Sequence, residues 1–340
     1  MIEIDGSIGY GQVLRTALAI STLTSKPIKI FNIRKNRPKP GLMPQHLIGI
    51  LELAKITKAK VKGAKIGSTE IIFIPKILEI PEKFLIDIKT AGSITLLLQT
   101  LLPVLIFSNK KIELTIYGGT DVKGSPTIIY YQKVFLYWLK KIGIKIEIDV
   151  LKHGFYPRGG GKVNVKVYPS KEILPIIALE RGELKGIESY SIASKELEKA
   201  KVAERQIFGL ESIVSKTFSN LKYVETLNPG SSLLATINYE NCILGYDNVG
   251  ERGKKAEIVG EEVGQMVKKG IKSNFCLDKF MSDQILLFAS LANGTSEFTI
   301  EEFTDHVNTN ISICEKLLNV KFEKNKNTIK IKGINFNLNI

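Results

Sequence analysis

The sequence predicts an α+β fold: three βαβαββ repeats with a smaller α/β domain inserted between the second and third. Three observations carry that expectation. Strands alternate with helices, yet strands also come in adjacent pairs, which sets the chain apart from a doubly wound parallel sheet. One element order returns three times along the 340 residues. Finally, Gln12, Gln99 and Gln284 fall at similar places in the first helix of each repeat.

In order, the first unit opens with a strand at 2–4 and a Gly-rich turn at 5–11. A helix follows, with Leu14, Ala17, Leu18 and Ser21 on one face. A strand at 28–33, a basic Pro-rich loop, a helix at 44–56, and strands at 59–62 and 70–74 complete the unit. The second unit repeats this order: a strand at 84–88, an apolar helix reaching 106, a strand at 112–117, a helix at 128–142, and strands at 145–150 and 162–167. The third unit is split, with a helix at 279–292, a strand at 297–300, a helix at 305–318 and closing strands. The insert is expected to hold helices at 194–217 and 256–269, with strands around 232–246. The division is therefore 1–180 for repeats one and two, 181–275 for the insert, and 276–340 for the third repeat.

Apolar residues make up 44% and charged residues 24%, which supports a packed core and excludes global disorder. A net charge of +14 favours a polyanionic partner, with solubility as the competing explanation. The insert holds 14 Lys/Arg against 13 Asp/Glu, so the repeats carry nearly all the excess and should hold the polyanion site. Cys242, Cys276 and Cys314 are too few and scattered for a disulfide framework or a zinc site, which points to a reducing interior. The longest apolar stretch, 94–107, contains Gln99 and Pro103 and falls short of the roughly 20 residues of a membrane span. The start lacks the layout of a signal peptide. A cytoplasmic protein with no membrane partner is expected.

The turn Asp5-Gly-Ser-Ile-Gly-Tyr-Gly-Gln12 brings backbone N–H groups to a helix N-terminus, where a phosphate is well held, and Arg15 stands one turn in. Plain strand-to-helix geometry also explains those glycines, and the Walker and dinucleotide fingerprints are absent. The loop at 33–46 is more informative. Arg34, Lys35, Arg37 and Lys39 lie within six residues, stiffened by Pro38 and Pro40. Cations held convergent at low entropy cost suit a triphosphate or an RNA backbone. Of three histidines, His306 follows Thr304-Asp305, a natural N-cap, on a helix whose apolar face carries Val307, Ile311, Cys314 and Leu318. The positive helix end disfavours imidazolium and keeps a neutral, nucleophilic nitrogen; catalysis and capping both fit. His46 occupies a similar first-turn place, and His153 reads as a structural strand-end residue. Asp283, beside Gln284 on an otherwise apolar helix, is either surface decoration or a cleft residue. Arg158, before three glycines, fits phosphate contact or hairpin geometry.

Seven stretches, read together, resemble the RNA 3′-terminal phosphate cyclase family. They are Arg-Pro-Lys-Pro-Gly-Leu-Met-Pro-Gln-His (37–46), Thr-Ala-Gly-Ser-Ile-Thr-Leu-Leu-Leu-Gln-Thr (90–100), Gly-Gly-Thr-Asp-Val (118–122), His-Gly-Phe-Tyr-Pro-Arg-Gly-Gly-Gly (153–161), Glu-Arg-Gly-Lys-Lys-Ala-Glu (251–257), Ser-Asp-Gln (282–284) and Asp-His-Val-Asn-Thr-Asn-Ile (305–311). The resemblance implies three repeats of the unit seen in the C-terminal domain of bacterial translation initiation factor three, plus one inserted domain. It implies ATP, with magnesium or manganese, and an RNA carrying a 3′-phosphate end. It further implies His306 as a nucleophile that becomes adenylylated, then an RNA-pp-A intermediate, then closure to a 2′,3′-cyclic phosphate. Gln12, Arg15, Arg34, Arg37, Gln45, His46, Gln99, Asp283 and Gln284 are the implied nucleotide pocket, with Lys39 and Arg158 toward RNA. One departure stands out. The family's first loop usually reads Asp-Gly-Ser-x-Gly-Glu-Gly-Gly-Gly-Gln-Ile-Leu-Arg; the loop at 5–15 is two residues shorter and lacks the glutamate associated with the metal, so the metal ligand is unknown. Phe280 also replaces a residue that is often Tyr or His. A non-catalytic RNA-binding relative is the alternative that this loop favours. An enolpyruvyl transferase, with similar repeats, would need six of them.

Overall fold

The computed structural model describes residues 1–8, 11–215 and 217–337; Gly9 and Tyr10 of the Gly-rich turn lie outside the described residues. The first repeat runs β1 (Ile2–Asp5), α1 (Gly11–Thr24), β2 (Ile28–Phe31), α2 (Pro44–Thr57), β3 (Lys60–Lys62) and β4 (Ile71–Ile74). The second runs β5 (Lys83–Asp87), α3 (Ile94–Leu105), β6 (Ile112–Gly118) and α4 (Ile128–Tyr130). It continues through a π-helical turn, Tyr131–Phe135, into α5 (Leu136–Lys141), β7 (Ile146–Lys152) and β8 (Gly161–Val167). After β9 (Ile177–Ala178) the chain enters the insert: β10 (Leu184–Ser194), α6 (Val202–Glu211), β11 (Phe218–Val224), β12 (Ser231–Tyr239), β13 (Ile243–Val249) and α7 (Ala256–Lys272). It returns with α8 (Lys279–Gln284), α9 (Leu286–Leu291), β14 (Thr295–Thr299), α10 (Asp305–Leu318), β15 (Phe322–Asn325) and β16 (Thr328–Lys332).

The repeats are visible in their sheets. The orders β1-β2-β4-β3, β5-β6-β8-β7 and, read from its first strand, β9-β14-β16-β15 are one pattern. In each, the first two strands are parallel and the remaining pairs antiparallel. The sheet of the insert, β11-β10-β12-β13, has a different order.

Three elements depart from the sequence reading. Ile177–Ala178 pairs with β14, so the third repeat supplies its first strand before the insert begins. No helix spans 194–217; an unexpected strand, β10, ends at Ser194, a 3-10 turn covers Lys195–Leu197, and the α-helix is confined to Val202–Glu211. The alternation along β10 is masked because Ser189 and Ser191 take inward positions, where they bond to Ser219 and to Gln206. The helix expected at 279–292 is interrupted at Ile285.

Apolar side chains of all three repeats form one continuous core, and the insert encloses its own around Leu210, Leu233, Tyr246 and Val263. α1 is buried from Gly11 to Leu23 and packs on α2, α3 and α10. A helix covered on every side must satisfy its polar members internally. For α1 these are Gln12, Arg15 and Thr16 in its first half, which reaches the other repeats, and Ser21 and Thr22 farther along. Among the described residues, no helix is long and apolar enough to cross a membrane.

Candidate active site

Thr304 caps α10, its hydroxyl accepting the Val307 N–H at 3.2 Å, which puts His306 in the first turn, half-buried. One turn on, Asn310 is buried. It accepts the Thr16 hydroxyl at 2.7 Å and donates its amide to the Asp283 carbonyl at 2.8 Å. A single side chain thereby ties α10 to α1 and α8, and so fixes His306 relative to Arg15 and Asp283. Sequence reasoning gave Asn310 no role; its i+4 spacing from His306, on the same helix face, was the available signal.

Arg15 is buried among charged and polar groups and donates to Gln12 Oε1. Burial lowers its pKa to about 10, against the pull of Asp283. The same burial raises the Asp283 carboxyl to about 7, with Arg15 opposing. Burial, then Arg15 and Arg37, lower His306 to about 4, with Asp305 opposing. Burial, then Arg15 and Arg34, lower His46 to about 3. Both imidazoles are therefore neutral at pH 7.

His46 Nδ1 accepts the Met43 N–H at 3.2 Å, closing the start of α2. Its other nitrogen, Nε2, faces Gly11, where a Cβ would come within 2.6 Å, so the first residue of α1 must be small. Arg34 adopts a left-handed backbone (φ 55°) and donates to the carbonyls of Lys39 at 2.8 Å and Gly41 at 2.9 Å. It braces the basic loop that carries Arg37, while Lys39 itself points outward, exposed. Gln284 Oε1 accepts from Gln99 Nε2 and from the Tyr131 hydroxyl, both at 2.9 Å. Two of the three recurrent glutamines thus touch, and the third bonds Arg15. Tyr131 was not anticipated: it opens the π-helical turn, which leaves no trace in helical periodicity.

Gln45 Oε1 rests against Gly92, 3.2 Å from the position of a Cβ there. Arg158 stands outside this constellation, on an exposed turn after β7. His153 is buried, with Nδ1 3.0 Å from Asp121 Oδ2. The cluster retains polar capacity, because Arg15 Nε and Gln99 Oε1 are buried without partners among the described residues. No group of three or more His, Cys, Asp or Glu among the described residues could hold a metal ion. These residues do not fit a metal site made by protein alone.

Residues 7–324 match the family described as RNA 3′-terminal phosphate cyclase. The chain belongs to that family. It is 43% identical to the RNA 3′-terminal phosphate cyclase of Thermococcus kodakarensis, over 95% of this chain and 94% of that protein. It is 42% identical to that of Pyrococcus abyssi, over 95% of both chains. With that of Sulfurisphaera tokodaii the identity is 44%, over 95% of this chain and 96% of that protein. Among solved structures, the enolpyruvyl transferase NikO from Streptomyces tendae is similar at a TM-score of 0.43 and 11% identity, over 98% of this chain and 48% of that one. Membership of the cyclase family rests on the sequence matches alone.

Proposed function

We propose that this protein uses ATP to convert an RNA 3′-terminal phosphate into a 2′,3′-cyclic phosphate, with His306 as the nucleophile. The unprotonated His306 nitrogen attacks the α-phosphorus of ATP, a P–N bond forms, and pyrophosphate leaves. His306 then yields the adenylyl group to an oxygen of the RNA 3′-phosphate, giving RNA-pp-A. The adjacent 2′-oxygen attacks the 3′-phosphorus, loses its proton, and AMP departs. Adenylylation replaces a poor leaving group by a good one, and ring closure profits from an effective molarity on the order of 10⁵ M or more.

The observation that carries this reading is the packing of α10, which bears His306 of the third repeat, on α1, which bears Arg15 of the first, through the Thr16–Asn310 bond, with Arg15 and Arg37 close enough to disfavour the imidazolium. Arg15 and Arg37 face the charge that builds on the phosphates. Gln12, Gln45, Gln99, Asp283 and Gln284 line the nucleotide pocket, and His46 and Arg34 hold its walls. Lys39 and Arg158 contact RNA. Residues 1–180 and 276–340 act as the catalytic domain, and 181–275 as an accessory one. Free, buried Cys242, Cys276 and Cys314 fit a reducing, cytoplasmic setting.

The test is to incubate the protein with ATP, magnesium or manganese, and an oligoribonucleotide ending in a 3′-phosphate. A phosphatase-resistant cyclic end, formed with release of AMP, is expected. RNA binding without a cyclic product under either metal would instead favour the non-catalytic reading that the shortened first loop suggests.

A further inference from the structure

Outside the pocket, a short turn holds an aromatic ring out to solvent. Tyr156 is 76% exposed, and Arg158 beside it is exposed as well. The turn beneath them is fixed. Phe155 is buried, and its carbonyl accepts from the Gly159 N–H at 2.8 Å and from Asn228 Nδ2 at 2.9 Å. Gly159, at φ 72°, lies so close to the 90–91 backbone that a Cβ would meet the Thr90 carbonyl oxygen at 2.8 Å. Gly92, just beyond, is the residue against which Gln45 rests. Contact therefore runs from Gln45, the neighbour of His46, through 90–92 to the Tyr156 turn. The surroundings are basic: Lys89 and Lys152 are exposed, and Lys162 Nζ lies 5.4 Å from the Tyr117 ring centroid. Asp87 is turned to its own loop, accepting the Lys89 N–H at 2.8 Å.

We propose that Tyr156 and Arg158 form a subsite for single-stranded RNA just upstream of the reacting end, Tyr156 stacking on a base and Arg158 meeting a phosphate. The direction of the strand, with its 3′-phosphate at His306, rests on the cyclase reading; the subsite itself does not. An aromatic side chain has few rotatable bonds, and on a braced turn its backbone has no further freedom to lose on stacking, which accepts any base. The subsite is thus sequence-tolerant, and it requires a substrate longer than one nucleotide.

The experiment measures the Kd of a fluorescein-labelled oligoribonucleotide with a 3′-phosphate by anisotropy, and self-adenylylation with ATP separately. Tyr156→Ala is expected to weaken binding at least about fivefold, and Tyr156→Phe to restore it. Arg158→Ala should reduce the slope of log affinity against log salt by about 0.7. Adenylylation, and the affinity of a nucleoside 3′-monophosphate, should stay at wild-type level in both Tyr156 variants. An unchanged Kd in Tyr156→Ala, or equal losses for Ala and Phe, would overturn the subsite. Loss of adenylylation in wild type while Tyr156→Ala still weakens binding would strike the cyclase reading and leave the subsite standing.

Discussion

Burial takes the largest share in disfavouring protonation of His306, and Arg15, Arg37 and the N-terminal end of α10 add to it. The imidazole is therefore expected to titrate at about 4, against 6.5 for a free histidine. Its neutral form persists as the pH falls from 7 to 5 and is lost only near 4. Two-dimensional NMR of the imidazole signals, assigned with a His306→Ala variant, measures this directly, and self-adenylylation should show no acid limb at 6.5. Asn310 is the second residue on which the site turns. Asn310→Ala removes its bonds to Thr16 and Asp283 from a buried position. A loss of about 1–3 kcal/mol in denaturant unfolding is expected, accompanied by weaker adenylylation because α10, and His306 with it, is no longer tied to α1 and α8.

At the scale of elements, α8 places Asp283 and Gln284, and α8 is itself placed by Asp278. That buried carboxylate accepts from Phe280 N–H at 3.0 Å, Met281 N–H at 2.9 Å, the Tyr130 hydroxyl at 2.8 Å and Gly245 N–H at 2.9 Å. It thereby joins the start of α8 to the second repeat and to the insert. Asp278→Ala leaves several buried donors unmatched, and a destabilisation of about 3 kcal/mol or more is expected, read by chemical denaturation. The helices and strands around this junction were legible where one face of the pattern is apolar, as in α10, whose sequence-expected bounds coincide with the observed Asp305–Leu318. They were illegible where polar residues face inward, as at Ser189 and Ser191 of β10. A two-residue strand such as Ile177–Ala178 is specified by its partner β14 and carries too little pattern of its own.

Across the whole molecule, three copies of one unit share a core, and their helices bring side chains far apart in sequence to one place. The repeat was readable because each copy must write its own strand and helix periods. The convergence was not, since no local rule says that Gln99 will touch Gln284, or that Arg15 will face His306. Only the motifs held in family order, and the recurring glutamines, hinted at it. The most direct measurement of whether this convergence makes an enzyme is labelling with α-phosphorus-labelled ATP, followed by peptide mapping. An acid-labile, base-stable label on the peptide containing His306, absent from a folded His306→Ala variant, is the predicted result. A label that survives that substitution, or maps to another residue, would contradict it.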